Sequence, residues 1–160
     1  MTHTTITLAK TVQEDLNALF QFQLDPEANY LAAFTAKDPT NRVAYLEKYG
    51  RFLHDPTINM QTIIVNGKIA GSVAKFITHH KAGITYWMDK AYWGRGIATA
   101  ALKQFLQIEK TRPIYAHVAF DNYGSQQVLT KCGFIKTRTD KGFANARQVE
   151  IEEYIYQLSE

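Results

Sequence analysis

Cysteine is almost absent from this chain of 160 residues, which contains only Cys132. An internal disulfide is therefore excluded, and so is a metal site built from several cysteine ligands. The pair His79-His80 has no third ligand residue nearby in the sequence, so we expect no metal cofactor. Cys132 falls on the apolar face of an expected helix, and we expect its thiol to be buried and inert.

Long apolar runs and blocks of like charge are also missing. No run approaches the roughly 18 residues of a membrane span, and the opening MTHTTITLAK lacks the features of a secretory signal. We therefore expect a soluble, cytoplasmic protein with no membrane partner. Its 18 basic and 15 acidic residues form no cluster, which argues against nucleic-acid binding. The length predicts one domain over residues 1–160.

The first third of the chain predicts one strand followed by helices. TITLAK (5–10) alternates between apolar and polar residues, as a half-buried strand does. Thr11 and Glu14 have the spacing of a capping box, which places a helix start at this point. Asp38-Pro39 predicts the start of a second helix, with Asp38 as its N-cap and an end near residue 55.

The rest of the chain predicts an α/β fold. MQTIIV (60–65) and KIAGSVAKFI (68–77) are joined by Asn66-Gly67, the strongest short signal for a β-hairpin. Gly133 suits the end of a helix. We expect a mixed, largely antiparallel sheet of about 6–7 strands with about four helices. The remaining elements are strands at 83–89, 112–120 and 149–158, and helices at 97–108 and 122–132.

The stretch YWGRGIATAAL (92–102) lies at a strand-to-helix junction and has no counterpart elsewhere in the chain. The first turn of a helix exposes unpaired N–H groups, and Gly94 and Gly96 would let a phosphate approach them closely. A plain turn that starts an alanine-rich helix explains the same residues equally well. A P-loop is excluded because no Gly-Lys-Ser/Thr triplet is present. The dinucleotide fingerprint fits poorly, because Thr99 replaces its third small residue.

Two motifs together resemble the Gcn5-related N-acetyltransferases (GNAT), most closely the branch of ribosomal-protein N-terminal acetyltransferases. They are YWGRGIATAAL and, about 25 residues later, DNYGSQQVLTKCGF. The family carries a Q/R-x-x-G-x-G/A signature on its pyrophosphate loop. Gly96 and Ala98 match its small positions, whereas Trp93 stands at the Gln/Arg position and departs from it.

The resemblance implies a single-domain GNAT fold with a splayed central pair of strands that binds acetyl-CoA as the acetyl donor. The strand ending near Asp89 would separate from the strand ending near Ala119, and the pantetheine arm would run along the first of them. The expected donor-binding residues are Trp87, Met88, Gly94, Arg95, Gly96, Ile97, Ala98, Thr99 and Asn122.

The same resemblance supplies candidate catalytic residues. Many relatives place a tyrosine general acid where this chain has Leu129, and the ribosomal branch instead uses a serine at the position of Ser125. Ser125 is therefore the expected proton donor to the leaving thiolate. The base is less well defined, because Lys90 replaces the glutamate expected after the strand. Asp89 is the nearest carboxylate, and His117 and Glu27 are alternatives.

The absence of an evident strong general base favours an acceptor amine of low pKa. An α-amine with a pKa near 8 is about a quarter neutral near pH 7.4. The pKa of a lysine is higher by a further ~2.5 units, so its deprotonation costs roughly 3.4 kcal/mol more. The predicted function is transfer of acetyl to a primary amine, of a small molecule or a protein N-terminus, by direct attack. A non-catalytic acyl-CoA-binding module is the alternative. Helices within 12–55 and a loop after Thr137 are expected to wall the acceptor site, and a homodimer is compatible with the sequence.

Overall fold

A seven-stranded sheet with helices on both faces forms the fold, in a computed structural model that describes residues 4–160. The strand order is β1-β2-β3-β4-β5-β7-β6, and all neighbouring strands are antiparallel except β4 and β5. The predicted α/β class and the mixed, largely antiparallel sheet are confirmed. The strands are β1 (Ile6–Lys10), β2 (Asn59–Val65), β3 (Lys68–Thr78), β4 (Lys81–Met88), β5 (Ile114–Ala119), β6 (Ile135–Ala144) and β7 (Val149–Leu158), and the helices are α1 (Leu16–Phe22), α2 (Pro26–Ala32), α3 (Arg42–Leu53), α4 (Ile97–Ile108) and α5 (Tyr123–Lys131).

The β2–β3 turn and the end of α5 confirm two sequence predictions. Asn66 and Gly67 have φ values of 50° and 82°, as a two-residue hairpin turn requires. Gly133, at φ 93°, follows α5, and its amide donates to the carbonyl of Thr130 while the amide of Phe134 donates to that of Leu129. This pair of bonds is the Schellman arrangement, which a left-handed glycine permits.

The predicted capping box at Thr11 and Glu14 was wrong. Thr11 is buried at the end of β1, where its hydroxyl shares a 2.9 Å hydrogen bond with that of Thr62. The carboxylate of Asp15 instead accepts the amide N–H of Val12 at 3.0 Å, ahead of a single turn of 3₁₀ helix that leads into α1. The strand pairing of Thr11 thus moves the helix start one residue along the chain.

The predicted helix start at Asp38 was also wrong, and a short helix before it was missed. The carboxylate of Asp38 accepts the amide and hydroxyl of Thr40, which lowers its pKa, and these bonds hold a local turn. Asn41 is the N-cap of α3 and accepts the amide of Ala44 at 3.0 Å. Asp25-Pro26 begins α2 with the cap and N1 proline that we had assigned to Asp38-Pro39. Residues 4–160 therefore contain five α-helices where about four were expected.

The sheet separates two hydrophobic clusters. On one face α4 and α5 cover the larger core, in which Phe105 and Leu102 of α4 and Leu129 of α5 are almost fully buried. On the other face Leu16 and Leu19 of α1 pack against the strands, with α3 outside them. The two faces are thus both covered, and a ligand can reach the sheet only where strands or helices separate.

Such a separation occurs between β4 and β5. These parallel strands pair only at Ala82 with Ile114 and at Gly83 with Tyr115. The ring of Phe76 lies over Gly83, where a Cβ would be 2.6 Å from its Cζ, so a side chain at this position would displace the ring. Beyond Gly83 the strands diverge, which confirms the predicted splayed pair.

The segment after Thr137 is a strand, not the loop that we expected. It forms β6, and the β6–β7 turn is fastened to α2 and the segment after it. Arg147 in that turn makes two 2.7 Å bonds to the carboxylate of Asp121, donates to the carbonyl of Tyr30 and stacks on the Tyr30 ring. The guanidinium of Arg147 lowers the pKa of Asp121.

We expect Arg147→Met to lower the free energy of unfolding at pH 7 by about 2 kcal/mol, because it leaves Asp121 without its partner. The folded-state pKa of Asp121 is depressed, so the ion pair contributes above the ordinary pKa of about 4 and its contribution is lost as the pH falls through the folded pKa. Urea unfolding at pH 7 and at acidic pH should show that variant and wild type differ less in the free energy of unfolding at the acidic pH. Arg138→Met, at an exposed position of β6, is the matched control. An equal deficit at both pH values would contradict the ion-pair explanation.

Candidate functional site

The diverging ends of β4 and β5 open into a cleft of about 860 Å³. Its floor is formed by β3, β4 and β5, and its walls by α1, α3, α5, the segment between α2 and α3, and one residue of β7. The volume lies within the range of sites for drug-sized ligands, roughly 300–1,000 Å³.

Strand alternation gives this cleft two chemically different sides. Along β4, Tyr86 and Met88 belong to the core under α4 and α5, so Thr85 and Trp87 face the opposite side, toward α1 and α3. Along β5, His117 lies on the α1–α3 face because its neighbours Ala116 and Val118 belong to the α4–α5 core. The splay is therefore a passage between the two faces.

Ser125 lies at the α4–α5 side of this passage, in the first turn of α5. The hydroxyl of Tyr86 donates a 2.8 Å hydrogen bond to Oγ of Ser125. Burial raises the pKa of Tyr86 to about 12, so this phenol stays protonated and remains a donor. Because Ser125 accepts from Tyr86, its own O–H proton is free to be donated to another group. Sequence reasoning missed Tyr86, since 39 residues separate it from Ser125.

Asn122 has a structural role at the start of α5. Its Oδ1 accepts the amide of Ser125 at 3.3 Å, and its Nδ2 donates to the carbonyl of Leu31 at the end of α2, also at 3.3 Å. The first bond is that of an N-cap, and the second joins α2 to the cleft. Asn122 lines the cleft, and its predicted contact with the donor stays a prediction.

His117 is the candidate base that lines the cleft. Its Nδ1 is 3.0 Å from Oε1 of Glu153 on β7, and the side chain of Glu153 is 16% exposed whereas that of His117 is 50% exposed. A carboxylate in this position fixes the orientation of the ring and stabilises a positively charged imidazolium. The other ring nitrogen is left for a ligand.

The other two candidate bases lie outside the residues that line the cleft. The carboxylate of Asp89 accepts the amide of Ala91 at 3.2 Å and caps a single 3₁₀ turn after β4. Glu27, in the first turn of α2, forms an ion pair with Lys90, and this contact raises the pKa of the lysine. The catalytic role of Asp89 stays a prediction.

The segment between β4 and α4 has the form expected of an anion site. Gly94 and Gly96 take φ values of 73° and 74°, and a Cβ added at either would meet no atom within 4 Å. Gly96 is the N-cap of α4 and, having no side chain, leaves the first turn uncapped. The amides of Ile97, Ala98 and Thr99 therefore have no acceptor among residues 4–160, and the helix dipole favours an anion beside them.

Trp93 and Arg95 complete this segment, which we call the donor loop (residues 93–99). The indole Nε1 of Trp93 donates to the carbonyl of Met88 at 3.2 Å and thereby fastens the loop to the end of β4. The guanidinium of Arg95 lies 5.5 Å from the ring centroid of Tyr92, on the exposed side of the loop. Trp93, the departure from the family signature, thus anchors the loop, a role that its position alone did not reveal.

Cys132 lies behind the donor loop. Its thiol is 3.6 Å from the carbonyl of Thr99, and burial raises its pKa. Within residues 4–160 no group of three or more His, Cys, Asp or Glu side chains could hold a metal ion. No helix in the same range is long and apolar enough to cross a membrane.

The family comparison identifies this architecture. The model of the acetyltransferase (GNAT) domain matches residues 5–135. The chain belongs to the GNAT family. It is accordingly an N-acetyltransferase with acetyl-CoA as the acetyl donor. No curated protein matches the sequence significantly.

Solved GNAT structures share the fold at low sequence identity. The ribosomal L7/L12 alpha-N-protein acetyltransferase RimL, in complex with coenzyme A, is 19% identical with a TM-score of 0.82, over 97% of this chain and 94% of that one. The microcin C7 self immunity acetyltransferase MccE, in complex with acetyl-CoA and AMP, is 20% identical with a TM-score of 0.78, over 97% and 92%. RimJ of Mycobacterium smegmatis, in complex with CoA-disulfide, is 20% identical with a TM-score of 0.78, over 96% and 81%.

The residues of this chain fit acetyl-CoA. The donor loop offers free amides to a pyrophosphate, and the open side of β4 beyond Gly83 has no strand partner on the β5 side. Ser125 stands at the same passage with a free proton. Ser125 lines the cleft, whereas the donor loop lies outside the lining residues and follows the end of β4.

Proposed function

We propose that the protein transfers the acetyl group of acetyl-CoA to a primary amine by direct attack of the amine on the thioester. The observation that carries this proposal is the passage between β4 and β5, which has the donor loop and Ser125 on one side and His117 on the other. This arrangement supports a donor on one face of the sheet and an acceptor on the other. Transfer takes place where the strands diverge.

On the donor side, the amides of the donor loop bind the pyrophosphate and the open side of β4 receives the pantetheine arm. The positive φ of Gly96 and its missing side chain keep the helix end accessible. Gly94, Arg95 and the residues from Ile97 to Thr99 complete this site. Trp87 and Met88 contribute their backbone at the end of β4.

The chemical step moves two protons. The neutral amine attacks the carbonyl carbon, the C–N bond forms, and the C–S bond breaks. Nε2 of His117 takes the proton from the amine, while Glu153 stabilises the resulting imidazolium. The hydroxyl of Ser125, held in position by Tyr86, donates its proton to the leaving thiolate and regains one through solvent from the His117 imidazolium, so that both groups return to their starting states.

The acceptor is best described as an amine of low pKa, such as an α-amino group. His117 is half-exposed and has one carboxylate partner, which makes it a modest general base. Such a base suits an amine that is already partly neutral in solution. A protein N-terminus and a small molecule with an α-amine both meet this condition.

Ser125→Ala is expected to lower kcat by about tenfold or more, because the thiolate then leaves without a proton donor. The dissociation constant for acetyl-CoA should change less than about twofold, since binding depends on the donor loop. Steady-state kinetics together with calorimetric titration of acetyl-CoA would check both quantities. A wild-type kcat in the variant would remove Ser125 from the mechanism.

Tyr86→Phe is the companion variant. It keeps the ring in place and removes only the hydroxyl that donates to Ser125, so its effect on kcat should be smaller than that of Ser125→Ala. In the double variant the effect of Tyr86→Phe should largely disappear, because the two hydroxyls act as one unit. Full additivity would mean that Tyr86 does not act through Ser125.

The activity itself is tested by release of the CoA thiol from acetyl-CoA in the presence of a panel of amines. The panel contains small amines, antibiotics and peptides with free N-termini, and the product is identified by mass spectrometry. Amine-dependent thiol release with an acetylated product supports the transferase. Acetyl-CoA binding without release for any acceptor would favour the non-catalytic acyl-CoA-binding module.

A further inference from the structure

The face of α3 that borders the cleft carries three aromatic rings. Tyr45, Tyr49 and Phe52, which we call the aromatic wall, lie on one helix face together with Lys48. The centroids of Tyr45 and Tyr49 are 4.4 Å apart and those of Tyr49 and Phe52 are 5.0 Å apart. Tyr45 and Tyr49 are partly buried against the hydrophobic cluster under α1, so the rings form a contiguous and well-supported surface beside the cleft.

The polar atoms of this region also lack partners. The hydroxyls of Tyr45 and Tyr49 make no hydrogen bond to residues 4–160, and burial raises the pKa of both phenols, so they remain neutral donors. Nε1 of Trp87, another cleft residue, is buried and has no acceptor within the same residues. A buried donor without an acceptor is costly, and a bound molecule with an oxygen atom would satisfy it.

Three charged side chains besides His117 line the cleft, those of Asp38, Lys48 and Glu153. Oδ1 of Asp38 accepts the amide and hydroxyl of Thr40, and Oε1 of Glu153 lies 3.0 Å from Nδ1 of His117. The ammonium of Lys48 has no carboxylate partner among residues 4–160 and lies 5.3 Å from the ring centroid of Tyr49. The aromatic wall, rather than an excess of either charge, is therefore the feature of this cleft that can select an acceptor.

From these observations we infer that the acceptor is an amine that carries a flat ring, which lies against the aromatic wall while the amine reaches His117. The inference rests on the proposed function and specifies its substrate class. Ring stacking against tyrosine and phenylalanine requires a planar apolar group, and the cleft volume of about 860 Å³ exceeds what a small aliphatic amine would fill.

Two amines of similar pKa test the ring directly. With wild-type protein and acetyl-CoA, kcat/KM for L-phenylalaninamide should exceed that for L-alaninamide by at least about tenfold, and spermidine, which has no ring, should also be a poorer acceptor than L-phenylalaninamide. Tyr49→Ala should reduce the ratio between the two amides to less than about threefold, because the central ring of the wall is lost. Tyr49→Phe keeps the ring and should preserve the ratio.

Calorimetric binding of both amides to the CoA-saturated protein separates this inference from the proposed activity. Tighter binding of L-phenylalaninamide without turnover would support the ring site and contradict the transferase proposal. Equal binding and equal turnover of the two amides, or a preference for spermidine, would overturn the ring site while leaving the transferase intact. Glu47→Ala, at an exposed position of α3, is the folding control and should leave the ratio unchanged.

Discussion

Gly96→Glu is expected to raise the dissociation constant for acetyl-CoA by about 100-fold or more, a loss of roughly 2.7 kcal/mol in binding free energy. Gly96 has a φ of 74°, and a side chain at a left-handed position costs about 1–2 kcal/mol. The new carboxylate would also lie at the uncapped start of α4, where it can accept the free amides and repel the pyrophosphate. Calorimetric titration with acetyl-CoA measures the change.

Gly67→Glu separates the binding effect from the effect on folding. Gly67 also has a positive φ, 82°, and open space around its Cβ position, but it lies in the β2–β3 turn. Both variants should lose similar stability, and only Gly96→Glu should lose acetyl-CoA affinity. Normal affinity in Gly96→Glu would refute the assignment of the phosphate site to the donor loop.

The donor loop could be predicted from the sequence because contiguous residues build it. A helix N-terminus with flanking glycines is a local structure, so Gly94, Gly96 and the three amides after them are already adjacent in the chain. The same is true of the Asn66-Gly67 turn, whose backbone conformation depends on the two residues themselves. The family resemblance then makes CoA the expected ligand of this phosphate site.

The contacts around the reacting groups could not be predicted in the same way, because they join elements that are far apart in the sequence. Tyr86 meets Ser125 across 39 residues, and His117 meets Glu153 across 36 residues on the neighbouring strand β7. Their meeting depends on sheet order, and periodicity does not reveal which strands are neighbours. The pairing of β5 with β7 brings Glu153 beside His117 and thereby favours His117 as the base.

The errors near the N-terminus have a similar cause. Asp25, Asp38 and Asn41 all have side chains that favour an N-cap, and Asp25 and Asp38 are both followed by proline. Local preference therefore could not say which of them starts a helix. The fold selects Asp25 and Asn41, and Asp38 closes a turn with Thr40 instead. Thr11, directly after β1, likewise does not cap a helix, because its amide and hydroxyl bond to Met60 and Thr62 of β2.

His117→Ala is expected to lower kcat by about 100-fold with little change in KM for the acceptor, since loss of a general base typically costs 10²–10⁴-fold. The side chain lines the cleft from β5, and its Nδ1 is held by Glu153, so Nε2 is the atom available to the amine. Added imidazole should restore part of the activity, because it can occupy the space of the missing ring and accept the proton. Glu153→Gln should have a smaller effect, since the ring remains but loses the carboxylate that stabilises its charged form.

Rescue by imidazole distinguishes a base from a residue that only shapes the cleft. A purely structural defect in His117→Ala would not respond to imidazole in proportion to its concentration, and it would also raise KM. His80→Ala, in the exposed β3–β4 turn, should keep full activity and show no response. If His117→Ala kept wild-type kcat, the proton would have to leave by another route, and Asp89 acting through water would become the leading candidate. Because Asp89 is engaged as the cap of the turn after β4, we expect the histidine variant to lose activity.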